Sequence, residues 1–326
     1  MKRWPVALSL IFFTVNCSYA EDQARKEASQ ILKKASNLET FKIGNHPKYR
    51  HEVHFSLVRP GLAEVGGDYL LEVDSPSFWR EEVNFDNYRL RRVRIRDQIW
   101  TQATHDFTPL VVEEIGIALS TTTLSMTSRH IVKRVYDDDI EGTEGRCIDF
   151  ETIHENDRIE NQICVRKDSG YIFYARHGST EATFSDFSPV WSIVKPRRIT
   201  IDLPDKAKIV ADSTYNDIEK SDPAEFKPID GADVSDVCEK STSPVVKYAP
   251  DPIYPLIARL GFYKGKVTGV VKVGQDGSVL NAAVVDSVQR DLDAAALEAV
   301  KKWKFKPGTC NGKPVNSVTQ FSVTFQ

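Results

Sequence analysis

The sequence predicts an α+β protein built in two regions, and three observations carry that expectation. From about residue 50 to about residue 215, successive segments alternate apolar and polar side chains between Gly, Pro, Asp or Asn, the period of antiparallel strands with one wet face. Two stretches break that rhythm with helical periodicity, one ahead of the strands and one near the C-terminus. Between the regions lies a stretch containing Pro244, Pro250, Pro252 and Pro255, which favours extended, polyproline-like backbone. With 326 residues, 41 % hydrophobic and 27 % charged, the chain has material for sizeable cores. A formal charge of −3 and the lack of a long basic run argue against nucleic acid as a partner.

In chain order, Lys2 and Arg3 precede the apolar run 6–15, and Ser18 and Ala20 place small residues at the −3 and −1 positions of a cut, so residues 1–20 read as a secretory signal peptide. The alternative is an uncleaved anchor, since residues 4–20 carry no charge; Cys17 sits in a poor lipobox. Ala24, Ala28, Ile31, Leu32 and Ala35 then recur at helical spacing, giving an amphipathic helix over 21–40. Strands are expected at 52–58, 67–73, 78–85 and 90–96, a helix at 109–119, and further strands at 131–136, 146–152, 158–166, 171–175, 183–187, 197–203 and 207–215. Past the signal peptide four cysteines remain, in an even number that suits an oxidising compartment. Cys147 with Cys164 and Cys238 with Cys310 are the natural disulfide pairs, and the alternative is two free buried pairs.

The C-terminal elements are the sharpest. Residues 254–261 read as a short helix opened by Pro255 and closed by Gly261. Residues 266–273 and 278–286 flank the turn 274–277 as a hairpin. Leu292, Ala295, Ala296, Ala299, Val300 and Trp303 form one helical stripe, with Asp291 or Asp293 expected to cap its start. A final strand over 315–325 turns Phe321, Val323 and Phe325 to one face. The domains expected are 21–232, a linker at 233–253, and 254–326.

Two resemblances follow from these residues. Tyr254-Pro255, Gly265 to Val270, Asp276-Gly277, Asp293 to Leu297, Trp303, Phe305 and Pro307, and Gly312 to Val315 together resemble the C-terminal domain of the TonB family. That resemblance implies two helices packed on a three-stranded antiparallel sheet, and a function in transmembrane transport: binding an outer-membrane TonB-dependent receptor, or another envelope protein, by strand addition. It places Val318, Gln320, Ser322 and Thr324 on the partner-binding strand, facing the partner or solvent; the alternative is that this strand is a purely structural edge. The first region, with residues 75–82, Pro196-Arg-Arg198 and 222–228, resembles the LolA-like proteins, which implies an antiparallel half-barrel with helices and a lipid or other hydrophobic ligand. Phe55, Leu57, Tyr69, Leu71, Trp79, Phe85 and Trp100 are the expected pocket residues; the alternative is that they fill a core. The resemblances imply a periplasmic location, or inner-membrane anchoring if the N-terminal segment stays uncleaved. The founding TonB type has a membrane helix and a long spacer, and the LolA-like region stands where that spacer would be, which puts coupling to motor subunits in doubt.

Catalytic and metal-binding patterns are weak. His51 and His54 are spaced i, i+3 in a strand-like setting, which puts them on opposite faces. Asp137, Asp138 and Asp139, followed by Glu141 and Glu144, read as a solvated loop between strands. Nucleophile-elbow, phosphate-loop and dinucleotide motifs do not occur. No metal, no cofactor and no enzymatic activity are expected.

Overall fold

The computed structural model describes residues 9–39, 48–120, 126–154, 157–219 and 221–326. In chain order its elements are α1 (Ser9–Glu39), β1 (Tyr49–Val58), β2 (Val65–Ser75), β3 (Phe78–Phe85), β4 (Tyr88–Ile95), β5 (Gln98–Ala103) and α2 (Leu110–Ser120). Next come β6 (His130–Ile140), β7 (Thr143–His154), β8 (Asp157–Arg166), β9 (Ile172–His177), β10 (Thr180–Val190), β11 (Ile193–Asp202) and β12 (Lys208–Asp217). The C-terminal elements are β13 (Asp233–Asp236), β14 (Ser241–Thr242), β15 (Val245–Tyr248), α3 (Leu256–Leu260), β16 (Gly265–Val273), β17 (Val279–Asp286) and α4 (Arg290–Val300). They end with β18 (Lys304–Lys306), β19 (Thr309–Cys310), β20 (Lys313–Pro314) and β21 (Ser317–Phe325). The chain divides into two compact units, Met1–Val93 with Thr108–Lys227, and Arg94–Phe107 with Pro228–Gln326.

The first unit is mostly sheet, in the order β4-β3-β2-β1-β12-β11-β10-β9-β8-β7-β6. Neighbours in sequence pair as antiparallel hairpins, and the ends of the run are joined where β1 meets β12, with Phe55 opposite Ala211. Alternation decides what is buried: Val53, Phe55 and Leu57 of β1 point into the core while their polar neighbours do not. Helix α1 lays Ala28, Leu32 and Ala35 on that core, the same stripe that the helical spacing marks, and α2 adds Val111, Ile115 and Ala118. The first eight residues of the expected signal peptide lie outside the described residues. Among the described residues no helix is long and apolar enough to cross a membrane.

The acidic run corrects one expectation. Asp137, Asp138 and Asp139 are in strand β6, and the turn that follows is only Glu141-Gly142, both at positive φ. Within the strand Asp137 pairs with Arg146 at 3.0 Å and with Lys167 at 3.2 Å, and Asp139 accepts from the Gly142 N–H of the turn at 2.8 Å. His51 and His54 do occupy opposite faces: His51 is buried, stacked on Tyr215 and 2.8 Å from the Ser213 hydroxyl, while exposed His54 pairs with Asp68. Cys147 and Cys164 face each other across β7 and β8 and are joined as a disulfide.

In the second unit the sheet order is β17-β16-β21, with α3 and α4 contributing to its core. Within residues 233–253, read from sequence as a linker, β13 pairs with β5, β14 with β19 and β15 with β18. A disulfide joins Cys238 to Cys310.

Candidate functional site

Packing of the second unit fixes the geometry of its last strand. Leu292, Ala296 and Val300 of α4 are buried against Val267 and Val271 of β16 and Phe321, Val323 and Phe325 of β21, with Trp303 and Phe305 closing the core. Gln289, not either aspartate, caps α4: its side-chain oxygen accepts from the N–H of Asp291 at 2.9 Å and of Leu292 at 3.2 Å. Asp293 instead reaches back to the Val288 N–H and the Ser287 hydroxyl, so it is already taken.

The motif residues have mechanical reasons. Gly277 has φ +80°, and a Cβ there would lie 2.0 Å from the Phe305 carbonyl oxygen, so only glycine lets the hairpin turn meet the segment after α4. The Phe305 N–H donates to the Gly277 carbonyl at 2.9 Å, and Pro307 lies beside the same turn. Tyr254 packs edge-on against Phe325 and donates its hydroxyl to the Tyr263 carbonyl, while Pro255 occupies the N-cap of α3. Gly269 makes room for the Phe321 ring and the β17 backbone, since a Cβ there would lie 2.5 Å from the ring and 2.2 Å from the Ala283 carbonyl oxygen.

Strand β21 pairs along its whole length with β16, from Ser317 opposite Val273 to Phe325 opposite Gly265, and lies at the end of the sheet order. Which backbone groups point outward follows from one hydrogen bond. The Gly274 N–H donates to Ser278 across the hairpin at 2.8 Å, so even-numbered residues of β16 address β17 and odd-numbered ones address β21. In this register the odd residues of β21 bond to β16. Val318, Gln320, Ser322 and Thr324 therefore direct their N–H and C=O groups away from the sheet, and the side chains of these four are exposed. None of the four is charged.

Sequence reasoning did not find the aspartate that sits on this domain. Asp106 accepts from Lys272 Nζ at 2.5 Å and Asn281 Nδ2 at 2.9 Å, and the Lys272 contact, then Asn281, holds its carboxyl below the usual range. Nothing in the local sequence around Asp106 signals a partner so far along the chain.

The expected pocket residues separate. Phe55, Leu57 and Phe85 are buried in the first unit's core, with Phe55 stacked on Phe85; Tyr69 packs against that core. Leu71 and Trp79 are half-buried, and Trp100 lies in β5 opposite Val234 in the second unit. A cavity of about 510 Å³ lies elsewhere in the first unit, lined by Ile117 of α2 and by Phe150, Ile163, Ala182 and Ile201 of the sheet. Its polar members include Arg176, Glu114 and His177, the last 2.6 Å from Asn161; burial, then the neighbouring Glu113, raises the Glu114 carboxyl.

Residues 250–326 match the model of the Gram-negative bacterial TonB protein C-terminal. Protein TonB of Xanthomonas campestris pv. campestris (strain B100) is 36 % identical over 96 residues, covering 29 % of this chain and 40 % of that protein. Protein TonB of Vibrio cholerae serotype O1 is 33 % identical over 76 residues, 23 % of this chain and 31 % of that protein. The chain thus spans two-fifths or less of the length of these relatives. Similar solved structures include a LolA superfamily protein from Nitrosomonas europaea (12 % identity, TM-score 0.42, 61 % of this chain and 96 % of that one). Another is a DUF1329 family protein from Desulfovibrio piger (12 % identity, TM-score 0.45, 63 % of this chain and 97 % of that one). A TonB C-terminal family domain therefore stands at the C-terminus of this chain, over residues 250–326.

Proposed function

We propose that this chain is a periplasmic, TonB-like transport protein whose C-terminal domain binds an outer-membrane receptor or other envelope partner by strand addition along β21. The observation that carries the reading is the edge itself: four consecutive outward-facing residues, Val318, Gln320, Ser322 and Thr324, combine unpaired ladder positions with uncharged, exposed side chains. An incoming extended segment gains main-chain hydrogen bonds from these positions and specificity from the side chains beside them. The role is binding, with no catalytic step. The test is capture from detergent-solubilised outer membranes by the full chain and by Ser322→Pro. Proline removes an outward N–H and leaves the β16 ladder intact, so capture should be lost from a protein that still folds. Capture at undiminished yield sinks the strand-addition reading.

A second reading is favoured by the cavity in the first unit. Its volume and its mostly apolar lining suit a hydrophobic ligand, which would make the first unit a carrier and the C-terminal domain its docking module. Native mass spectrometry should then find copurified lipid that disappears when Ala182→Trp fills the cavity; ligand-free protein from a lipid-rich periplasm counts against a carrier.

A further inference from the structure

The C-terminal unit has a second exposed surface, distinct from the β21 edge. On α3, Ala258 is fully buried, while Leu256, Ile257 and Leu260 occupy the opposite side and are exposed; Leu260 is 70 % exposed. Ile253 precedes this face and Phe262 and Tyr263 extend it. Single exposed apolar residues need no explanation, but a run of six within residues 253–263 does. Phe262 is the sharpest case. It is 83 % exposed and has φ +56°, a left-handed conformation that is uncommon for a bulky side chain. The conformation is held by neighbours: the Tyr263 N–H donates to the Ala258 carbonyl at 3.0 Å, and the Tyr254 hydroxyl donates to the Tyr263 carbonyl. The fold thus keeps an aromatic ring in water where burial within the unit would be favourable.

Charge decides between occupants. Residues 252–266 contain Arg259, Lys264 and Lys266 and no carboxylate. The nearby carboxylates Asp251, Asp291 and Glu298 line the cleft between Ile253, Leu256, Ile257 and α4, together with Lys302, while Leu260, Phe262 and Tyr263 are outside that cleft. Cations beside exposed aliphatic and aromatic side chains match the boundary of an anionic bilayer, where apolar side chains enter the acyl region and Lys and Arg meet the headgroups. We propose that the α3 tip, led by Leu260 and Phe262 and flanked by Arg259 and Lys264, is a membrane-surface contact that lies in an anionic leaflet without spanning it. This contact is independent of strand addition. It would hold the domain at a bilayer while leaving the β21 edge to its partner.

The test is hydrogen exchange of residues 256–264 in the full chain, which reads the site whatever the N-terminal segment does. With phosphatidylglycerol vesicles, exchange there should slow several-fold; with phosphatidylcholine vesicles it should not change. In Leu260→Ser/Phe262→Ser, whose native side chains are exposed, the slowing should vanish while the β16 amides stay protected; vesicle affinity of this segment should drop about tenfold or more. Unchanged exchange with phosphatidylglycerol vesicles would overturn the proposal. So would slowing without vesicles: if it grows with protein concentration the face belongs to a second copy, and if it does not the face is covered within the chain.

Discussion

Glu39 and His51 are both buried in the first unit, both feel Lys195, and they respond to pH in opposite senses. Burial raises the Glu39 carboxyl from 4.5 to about 7, against the opposing pull of the Ile172 N–H, which it accepts at 2.9 Å, and of Lys195. The folded chain holds a proton that the unfolded chain has released, so this contribution to stability falls as pH rises from 4.5 to about 7. Burial, then Lys195, lowers His51 from 6.5 to about 3, so its contribution falls as pH drops from 6.5 toward 3. Between 4.5 and 6.5 the two slopes oppose each other. Glu39→Gln keeps an acceptor for Ile172 and removes the titration. Urea denaturation should show it more stable than the parent at pH 7.5 by about 1–3 kcal/mol, with stability now rising with pH from 4.5 to 6.5. Parallel stability–pH curves would refute this assignment. In the C-terminal domain, Gly277→Ala meets both a positive φ and the Phe305 carbonyl, and should destabilise the domain by about 2 kcal/mol or more, read from faster exchange of β16 amides.

Among elements, two strands at the ends of their sheet orders are treated differently. β6 carries Asp137, Asp138 and Asp139, and charge on a terminal strand discourages pairing with another chain. β21 carries no charge at all along its length, so the device that blunts one strand is missing from the other. The disulfide between Cys238 and Cys310 closes a separation of 72 residues and ties the β13–β14 connection to β19. Replacing both cysteines with serine should lower the stability of this unit by about 2–4 kcal/mol in thermal unfolding, and no change would argue against the bond. The same elements show what sequence could reveal. The stripe on α1, the alternation in β1 and the hairpin of β16 and β17 were legible because each has one buried face and so a clear period. β13 and β15 were not, because every residue in them is exposed and their partners lie far along the chain. Asp137–Asp139 misled because aspartate is rare in strands, and the Gln289 cap was missed because glutamine is not among the favoured caps.

On the scale of the whole molecule, the chain joins a large sheet unit to a small C-terminal domain, each with its own core. The six motif residues Tyr254, Pro255, Gly277, Trp303, Phe305 and Pro307 all act in the small domain, packing its turn, short helix and last strand together. They build the platform, and the four outward residues of β21 are what it presents. Val318, Gln320, Ser322 and Thr324 alternate with the buried residues of the strand, and their outward backbone direction needed the register with β16 and the Gly274–Ser278 bond. The central claim is tested most directly by amide exchange along β21 in the full chain, free and bound to the partner recovered from outer membranes. Strand addition predicts that Val318, Gln320, Ser322 and Thr324, fast-exchanging when free, become protected on binding while Thr319, Phe321 and Val323 are protected throughout. A bound complex in which those four amides exchange as fast as before would contradict it.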